Sequence, residues 1–256
     1  MNSITANSSV KFRVATWNLE RPKQNGWIKN QRRLDQILDI DADVWVLTET
    51  NAAIALGSDY ESVASCASEY YEAGENLATI WSRWKIRSCI PTFDPTYAVC
   101  AEVDSPFGAM LVYGTVIPYA NEKGISGTAK RWEEHRQSIR QHHQDWLRIG
   151  KQYPNHLMCV AGDFNQSRDG SGWYEEKESV GLLSAALNDL SLDCVTKENM
   201  MERGLSRATV DHICLSKSLV PHLVNVGAWE GTTPEKGKMS DHNGVFVDMM
   251  AEVTAR

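Results

Sequence analysis

Apolar residues along the chain follow two periods. Nine short runs read as strands: 10–19, 43–50, 77–84, 97–105, 109–119, 156–165, 209–216, 224–230 and 244–253. Several are apolar on both alternating sets of positions, the pattern of strands covered on both faces. Their Val and Ile content and the Gly, Pro, Asp or Asn at their ends favour strand over buried helix. Three segments carry the helical period instead. In 27–40 the stripe is Trp27, Leu34, Ile37 and Leu38, with Arg32 and Arg33 off it. In 128–149 Trp132, Ile139 and Trp146 share a face, and in 180–191 the stripe is Val180, Leu183, Leu187 and Leu190.

Each half of the chain therefore holds several strands and at least one helix able to cover a sheet. That order predicts an α/β fold, a four-layer α/β/β/α sandwich of two mainly antiparallel sheets packed face to face with helices outside. No repeat of short period, low-complexity tract or long Gly/Ser linker interrupts it. We read one catalytic domain over 10–256, preceded by a flexible tail over 1–9.

Composition narrows the function classes. The 256 residues are 42% hydrophobic and 23% charged, an ordinary globular balance. No apolar run approaches the roughly 20 residues that cross a bilayer, and the polar start lacks the pattern of a secretory signal. The six cysteines form no CxxC pair, and Cys100, Cys159 and Cys214 fall inside apolar runs, so buried free thiols and a cytoplasmic location are expected. Net charge is −7. A protein that coats nucleic acid by bulk electrostatics is disfavoured, whereas a nuclease that brings its own cation to the phosphate is not.

Candidate chemistry gathers at predicted strand ends. In AGDFNQ, Asp163 and Asn165 bracket Phe164, so in extended geometry both polar groups face one side and the ring the other. A carboxylate there can orient or deprotonate a water, and an amide can donate to a developing oxyanion; a bare DxN is otherwise an Asx turn. In MSDHNG, Asp241 and His242 precede the last strand, where a histidine can exchange protons and a carboxylate can fix its tautomer or bind a metal. Asn18, Glu20 and Glu49 end the first two strands and offer oxygen ligands that select Mg²⁺ or Mn²⁺ over zinc. Asp211 lies inside an apolar strand, where a charge is costly unless bonded or paired. Its neighbour His212 points to the opposite face and is read as a structural or surface histidine.

The ordered set WN…E…GDFN…D…SDH resembles that of the endonuclease/exonuclease/phosphatase superfamily over residues 13–249, and the strand ending in Ser82-Arg83 is similar as well. The resemblance implies a deoxyribonuclease I-like fold and a metal-dependent phosphoesterase. It makes Glu49 the principal metal ligand, assisted by Asn18 and Glu20, with Asp241 approaching the same site. Asp163 then activates the attacking water, Asn165 holds a non-bridging phosphate oxygen, His242 contacts the phosphate, and Asp211 supports His242. One departure stands out: where relatives often place His or Tyr, this chain has Thr115 or Val116, with Tyr119 a few residues on.

Lys236 and Lys238 precede the Ser240-Asp241-His242 motif and are candidate screens for an anionic substrate. Trp173 is read as a partly buried loop anchor rather than a stacking platform, because Glu175, Glu176 and Glu178 surround it. Arg131, Arg136 and Arg140 are read as a solvated helix face, and His142 and His143 as packing residues. The expected function is hydrolysis of a phosphodiester of nucleic acid by in-line water attack. The alternative is a small or lipid-derived phosphate ester, and an inert binding scaffold is the third reading. No membrane insertion and no obligate protein partner are expected.

Overall fold

The computed structural model describes residues 8–68 and 70–253. The first sheet comprises β1 (Ser8–Asn18), β2 (Val44–Asn51), β3 (Glu61–Ala64), β4 (Glu75–Ser82), β11 (Leu223–Trp229) and β14 (Gly244–Val253). The second comprises β5 (Ile86–Ile90), β6 (Ala98–Val103), β7 (Met110–Val116), β8 (Leu157–Asp163), β9 (Leu192–Cys194) and β10 (Asp211–Ser216). Strands β12 (Thr232–Thr233) and β13 (Gly237–Lys238) form a small separate ladder. The helices are α1 (Trp27–Ile40), α2 (Glu133–Gln152) and α3 (Lys177–Asp189). The expected tail largely falls on residues 1–7, outside the described residues; Ser8 and Ser9 already belong to β1.

The sheets run β11-β14-β1-β2-β4-β3 and β5-β6-β7-β8-β10-β9. Each is antiparallel except for one central parallel pair, β1 with β2 and β7 with β8. Each parallel pair is joined through a helix, α1 or α2, because parallel neighbours need a crossover. The two halves thus repeat one plan: Asn18 ends β1, Asp163 ends β8, and Glu49 lies two residues before the end of β2.

Packing explains why the strands are apolar on both faces. Phe12, Val14, Val44, Val46, Cys159 and Ala161 fill the layer between the sheets. Their sequence neighbours face outward: Ala15, Trp17, Trp45 and Leu47 under α1, and Met158 and Val160 under α2 and α3. The alternation of two cores along one strand is the period of two with no solvent face. The four-layer order follows, as expected.

Several expectations need correction. Strands β3, β5 and β9 are absent from the nine predicted runs; β3 and β5 carry mostly exposed residues and β9 only three, and all three sit at sheet edges, so little apolar alternation marks them. Helix α1 turns a different face inward: Asn30, Arg33 and Ile37 are buried while Trp27, Ile28 and Leu38 are exposed. The Arg33 guanidinium repays its burial by donating to Met239 O (2.8 Å) and Asn30 Oδ1 (3.0 Å). Helix α2 starts at Glu133 rather than 128, because Trp132 takes a left-handed conformation (φ 67°) that ends the preceding loop. Helix α3 starts three residues early, since the Glu176 carboxylate accepts from the Glu178 and Ser179 amides as an N-terminal cap. All six cysteines are free; Cys100, Cys159, Cys194 and Cys214 are buried and Cys66 and Cys89 exposed. Among the described residues no helix is long and apolar enough to cross a membrane.

Candidate active site

Register alone brings the first two carboxylates together. Asp163 and Asp211 are directly opposed in the antiparallel β8–β10 pair, so both side chains leave the same face at the same edge. Both are 1% exposed. From the facing sheet, Asn18 at the end of β1 donates its amide to Asp163 Oδ2 (3.0 Å). Asn165 completes the cradle: its backbone N–H donates to Asp163 Oδ1 (2.8 Å) and its side-chain amide to Asp163 Oδ2 (2.9 Å) and Ile117 O (3.0 Å). Asn165 adopts φ 47°, which turns the chain back over the carboxylate, a conformation Asn tolerates better than most residues.

The strand end is possible only because residue 162 is glycine. Gly162 has φ 137°, and a Cβ there would stand 2.0 Å from Thr115 O on β7. This close approach seats Asp163 beside the end of β7.

His242 arrives on a loop fastened by its neighbours. Ser240 Oγ donates to Asn18 O (2.7 Å) and accepts from His242 N (3.0 Å). The Trp17 indole donates to His242 O (3.0 Å), and Asn243 Oδ1 accepts from Gly231 N (3.1 Å). Gly231 packs so tightly under this loop that a Cβ would lie 2.0 Å from His242 O. The imidazole Nδ1–H then donates to Asp211 Oδ2 (2.7 Å), and Nε2 lies 4.0 Å from Asp163 Oδ2. Asp163, Asp211 and His242 form the one His/Cys/Asp/Glu group of metal-ligand spacing among the described residues.

Electrostatics follow from this crowding. Burial raises the Asp163 carboxyl, with Asp211 and Glu49 adding to the rise and His242 opposing it; the result is about 7. For His242 burial works against the charged form, but Asp211 and Asp163 outweigh it and hold the imidazolium up to about 10. His142 is the contrast: fully buried without a carboxylate partner, it is pushed down to about 4 and takes the Thr115 hydroxyl on Nε2 (2.6 Å). His212 is likewise internal, bonded to Gln166 O and Thr196 Oγ1, so of the structural and surface readings the structural one holds.

The remaining sequence candidates scatter. Glu49, two residues before the end of β2, has φ 44°, a left-handed kink inside a strand that costs on the order of 1–3 kcal/mol. Its carboxylate pairs with Arg21 (3.4 Å) and its charge reaches Asp163. Glu20 is engaged elsewhere, between Lys29 (2.6 Å) and Lys238. Lys238 is therefore committed to Glu20, and Lys236 to Asp39 (2.6 Å) and Gln36 (3.0 Å) on α1. Asp241 is exposed and lines a cavity of about 510 Å³ with Ser206, Arg207, Glu230 and Thr232 beside the His242 loop. Tyr119 is half exposed beyond β7, while Thr115 faces α2. Trp173 is not an anchor: it is half exposed, with the Arg207 guanidinium 5.3 Å from its ring, and Tyr174 fastens the loop by accepting from Ala120 N.

Sequence reasoning missed the residues that hold the site rather than form it: Ser240, Asn243, Gly231, Trp17 and Arg33. Ser240 and Asn243 flank the Asp-His pair in the quoted motif and were legible as possible turn formers. Arg33 had no such signal, because its partner Met239 is distant in sequence.

Solved structures share this fold at low identity. An AP endonuclease from Archaeoglobus fulgidus superposes with TM-score 0.67 at 14% identity, over 92% of this chain and 98% of that one. A 3′ phosphatase from Neisseria, solved with a product DNA hairpin, gives 0.68 at 16% identity over 93% and 99%. The endonuclease domain of a telomere-specific non-LTR retrotransposon gives 0.61 at 15% over 94% and 98%. Comparison with curated protein sequences gives no match. The family model described as endonuclease/exonuclease/phosphatase matches residues 15–242, from the end of β1 to the His242 loop, and the chain belongs to that family.

Proposed function

We propose that this chain is a Mg²⁺- or Mn²⁺-dependent phosphodiesterase acting on nucleic acid. The observation that carries the reading is the part-buried Asp211–His242 pair (2.7 Å) set beside Asp163 at the joint edge of both sheets. Asp163 is cradled by three amide donors and held near 7, where a carboxylate can take a proton from water at neutral pH. His242, kept as imidazolium by Asp211, offers an N–H to the phosphate or to the departing oxygen. In one hydrolytic step the water oxygen bonds to phosphorus, its proton passes to Asp163, and the opposite P–O bond breaks. The leaving oxygen takes the electron pair and accepts the His242 proton.

The donors fit a hard divalent cation. They are oxygen atoms of Glu49 and Asn18, with no thiolate among them; Asp241, also expected there, is exposed and lines the neighbouring cavity. Asp211 Oδ1 is buried without a hydrogen-bond partner, a lone pair that a bound cation or water satisfies. Glu49 and Asn18 are the residues assigned to hold the ion, which supplies charge stabilisation at the phosphate.

A second reading is hydrolysis of a small phosphate ester, and net charge −7 with Lys29, Lys236 and Lys238 tied up in ion pairs favours it. The solved relatives named above as an AP endonuclease and a DNA-bound 3′ phosphatase support the nucleic-acid version. Assays with Mg²⁺ on nicked, single-stranded and abasic DNA and on RNA separate the two. Cleavage abolished by chelator and by Asp163→Ala is expected. Turnover of a small ester alone sinks the nuclease version, and partner binding with no Asp163-dependent turnover favours the scaffold. A cytoplasmic location is part of the same proposal.

A further inference from the structure

We propose that Arg21 is a transferable phosphate ligand, resting on Glu49 in the cation-free protein and moving to a substrate phosphate oxygen once a cation takes Glu49. The inference rests on the metal-dependent reading above and adds to it a residue that the motif pattern does not include.

The backbone places Arg21 where it can serve both partners. After Asn18, Leu19 N donates to Thr48 O and Arg21 N to Glu49 O (3.0 Å), so the chain continues alongside the end of β2. Glu20 and Arg21 both have positive φ (52° and 46°), and two left-handed residues in succession separate their side chains. The Glu20 carboxylate goes to Lys29 and Lys238; the Arg21 guanidinium goes to Glu49. Positive φ at two non-glycine residues is a cost, and such costs persist where the surroundings impose them.

The Arg21–Glu49 contact is loose. Nε stands 3.4 Å from Oε2, and the two side chains are 48% and 24% exposed. An exposed pair of this kind is weak, and a divalent ion offers the carboxylate twice the charge. The second contact of Arg21 does not depend on Glu49. Its guanidinium lies 4.5 Å from the centre of the Tyr71 ring, a cation–π contact that holds the planar fork at the mouth after the carboxylate is lost. A guanidinium held by one face and released from Glu49 has its Nε–H edge freed, and that edge gives the bidentate geometry that phosphate oxygens accept. The neighbouring cations lack this freedom: Arg33 is buried and bonded, and Lys29 and Lys238 are committed to Glu20.

Competition for Glu49 gives the proposal opposite signs in two measurements. Calorimetric titration of Mn²⁺ into substrate-free Arg21→Gln is expected to show cation binding about three-fold tighter than wild type, as release of an exposed ion pair allows. Titration of inorganic phosphate into the Mg²⁺-saturated variant is expected to show binding about ten-fold weaker, the loss of a charge-assisted contact. Arg21→Lys keeps the charge opposite Glu49 and loses the fork, so cation affinity stays near wild type while phosphate affinity falls. Unchanged or weaker Mn²⁺ binding in Arg21→Gln overturns the competition, and unchanged phosphate binding overturns the transfer. A wild type that binds Mn²⁺ and phosphate yet cleaves no ester defeats the proposed function and leaves both titrations readable. A wild type that binds no cation defeats both proposals.

Discussion

Replacing Asp211 by Asn removes one charge and almost no volume, so it isolates what that charge does to His242. The imidazolium donates to Asp211 Oδ2 at 2.7 Å and sits 4.0 Å from Asp163, which together hold it at about 10 against burial. At an effective dielectric of about 20, a unit charge pair roughly 4 Å apart is worth about 4 kcal/mol, and each pKa unit is about 1.4 kcal/mol. Loss of Asp211 therefore lowers the His242 pKa by about 2–3 units, to about 7, with Asp163 still supporting it. The assay is NMR titration of the imidazole Cε1–H signals of the cation-free protein, with the His242 resonance assigned by its loss in His242→Gln. The raised pKa also has a stability sign. His242 contributes stability that is fully present below the ordinary histidine value of about 6.5 and is lost as pH rises through about 10. In Asp211→Asn that loss shifts to lower pH, which thermal melts across the alkaline range detect. A wild-type His242 titrating at the ordinary value, or a value unmoved in Asp211→Asn, refutes the reasoning.

Asp163→Asn is expected to abolish turnover and to change how stability depends on pH. The Asp163 carboxyl is raised to about 7, so the stability its protonated form contributes at acid pH is lost as pH rises from the ordinary carboxylate range through that value, and an amide has no such titration. Without metal the wild-type Tm should therefore fall across that range by more than the variant's does; an equal pH dependence in the two contradicts the burial argument. Gly162→Ala drives a methyl into Thr115 O and is expected to cost more than roughly 3 kcal/mol in denaturant melts, because backbone cannot yield as a side chain can. Wild-type stability in that variant removes the close approach from the account of the site. Arg33→Met leaves Met239 O unsatisfied at the root of the His242 loop, an expected cost of about 1–3 kcal/mol with a matching drop in activity; a neutral result shows that the loop does not depend on α1.

Much of this protein is readable along the chain, and the reason is local. Strands β1, β2, β8 and β14 announce themselves because both faces are buried, so hydrophobicity saturates the run. Asp163 and Asn165 are legible as a pair, but extended geometry is not what joins them: β8 ends at Asp163, Asn165 is left-handed, and its N–H donates to Asp163 Oδ1 as in an Asx turn. Edge strands β3 and β9 were invisible for the converse reason: half of each faces solvent or is too short to show a period.

What the tertiary structure alone decided is pairing between residues far apart in sequence. Both lysines before the His242 motif looked available, and both are spent on carboxylates near α1. Arg33 looked like a surface residue of an amphipathic helix, and it is buried because Met239 O needs a donor there. Glu20 and Glu49 are both expected at the metal, but left-handed backbone at 20 and 21 sends Glu20 to the lysines and leaves Glu49 with Arg21 beside the site. Sequence determines which groups can do chemistry and which strands carry them to an edge. Charge pairing and register across the two sheets determine which of those groups meet, since a buried or half-buried charge settles on whichever partner the fold brings within reach.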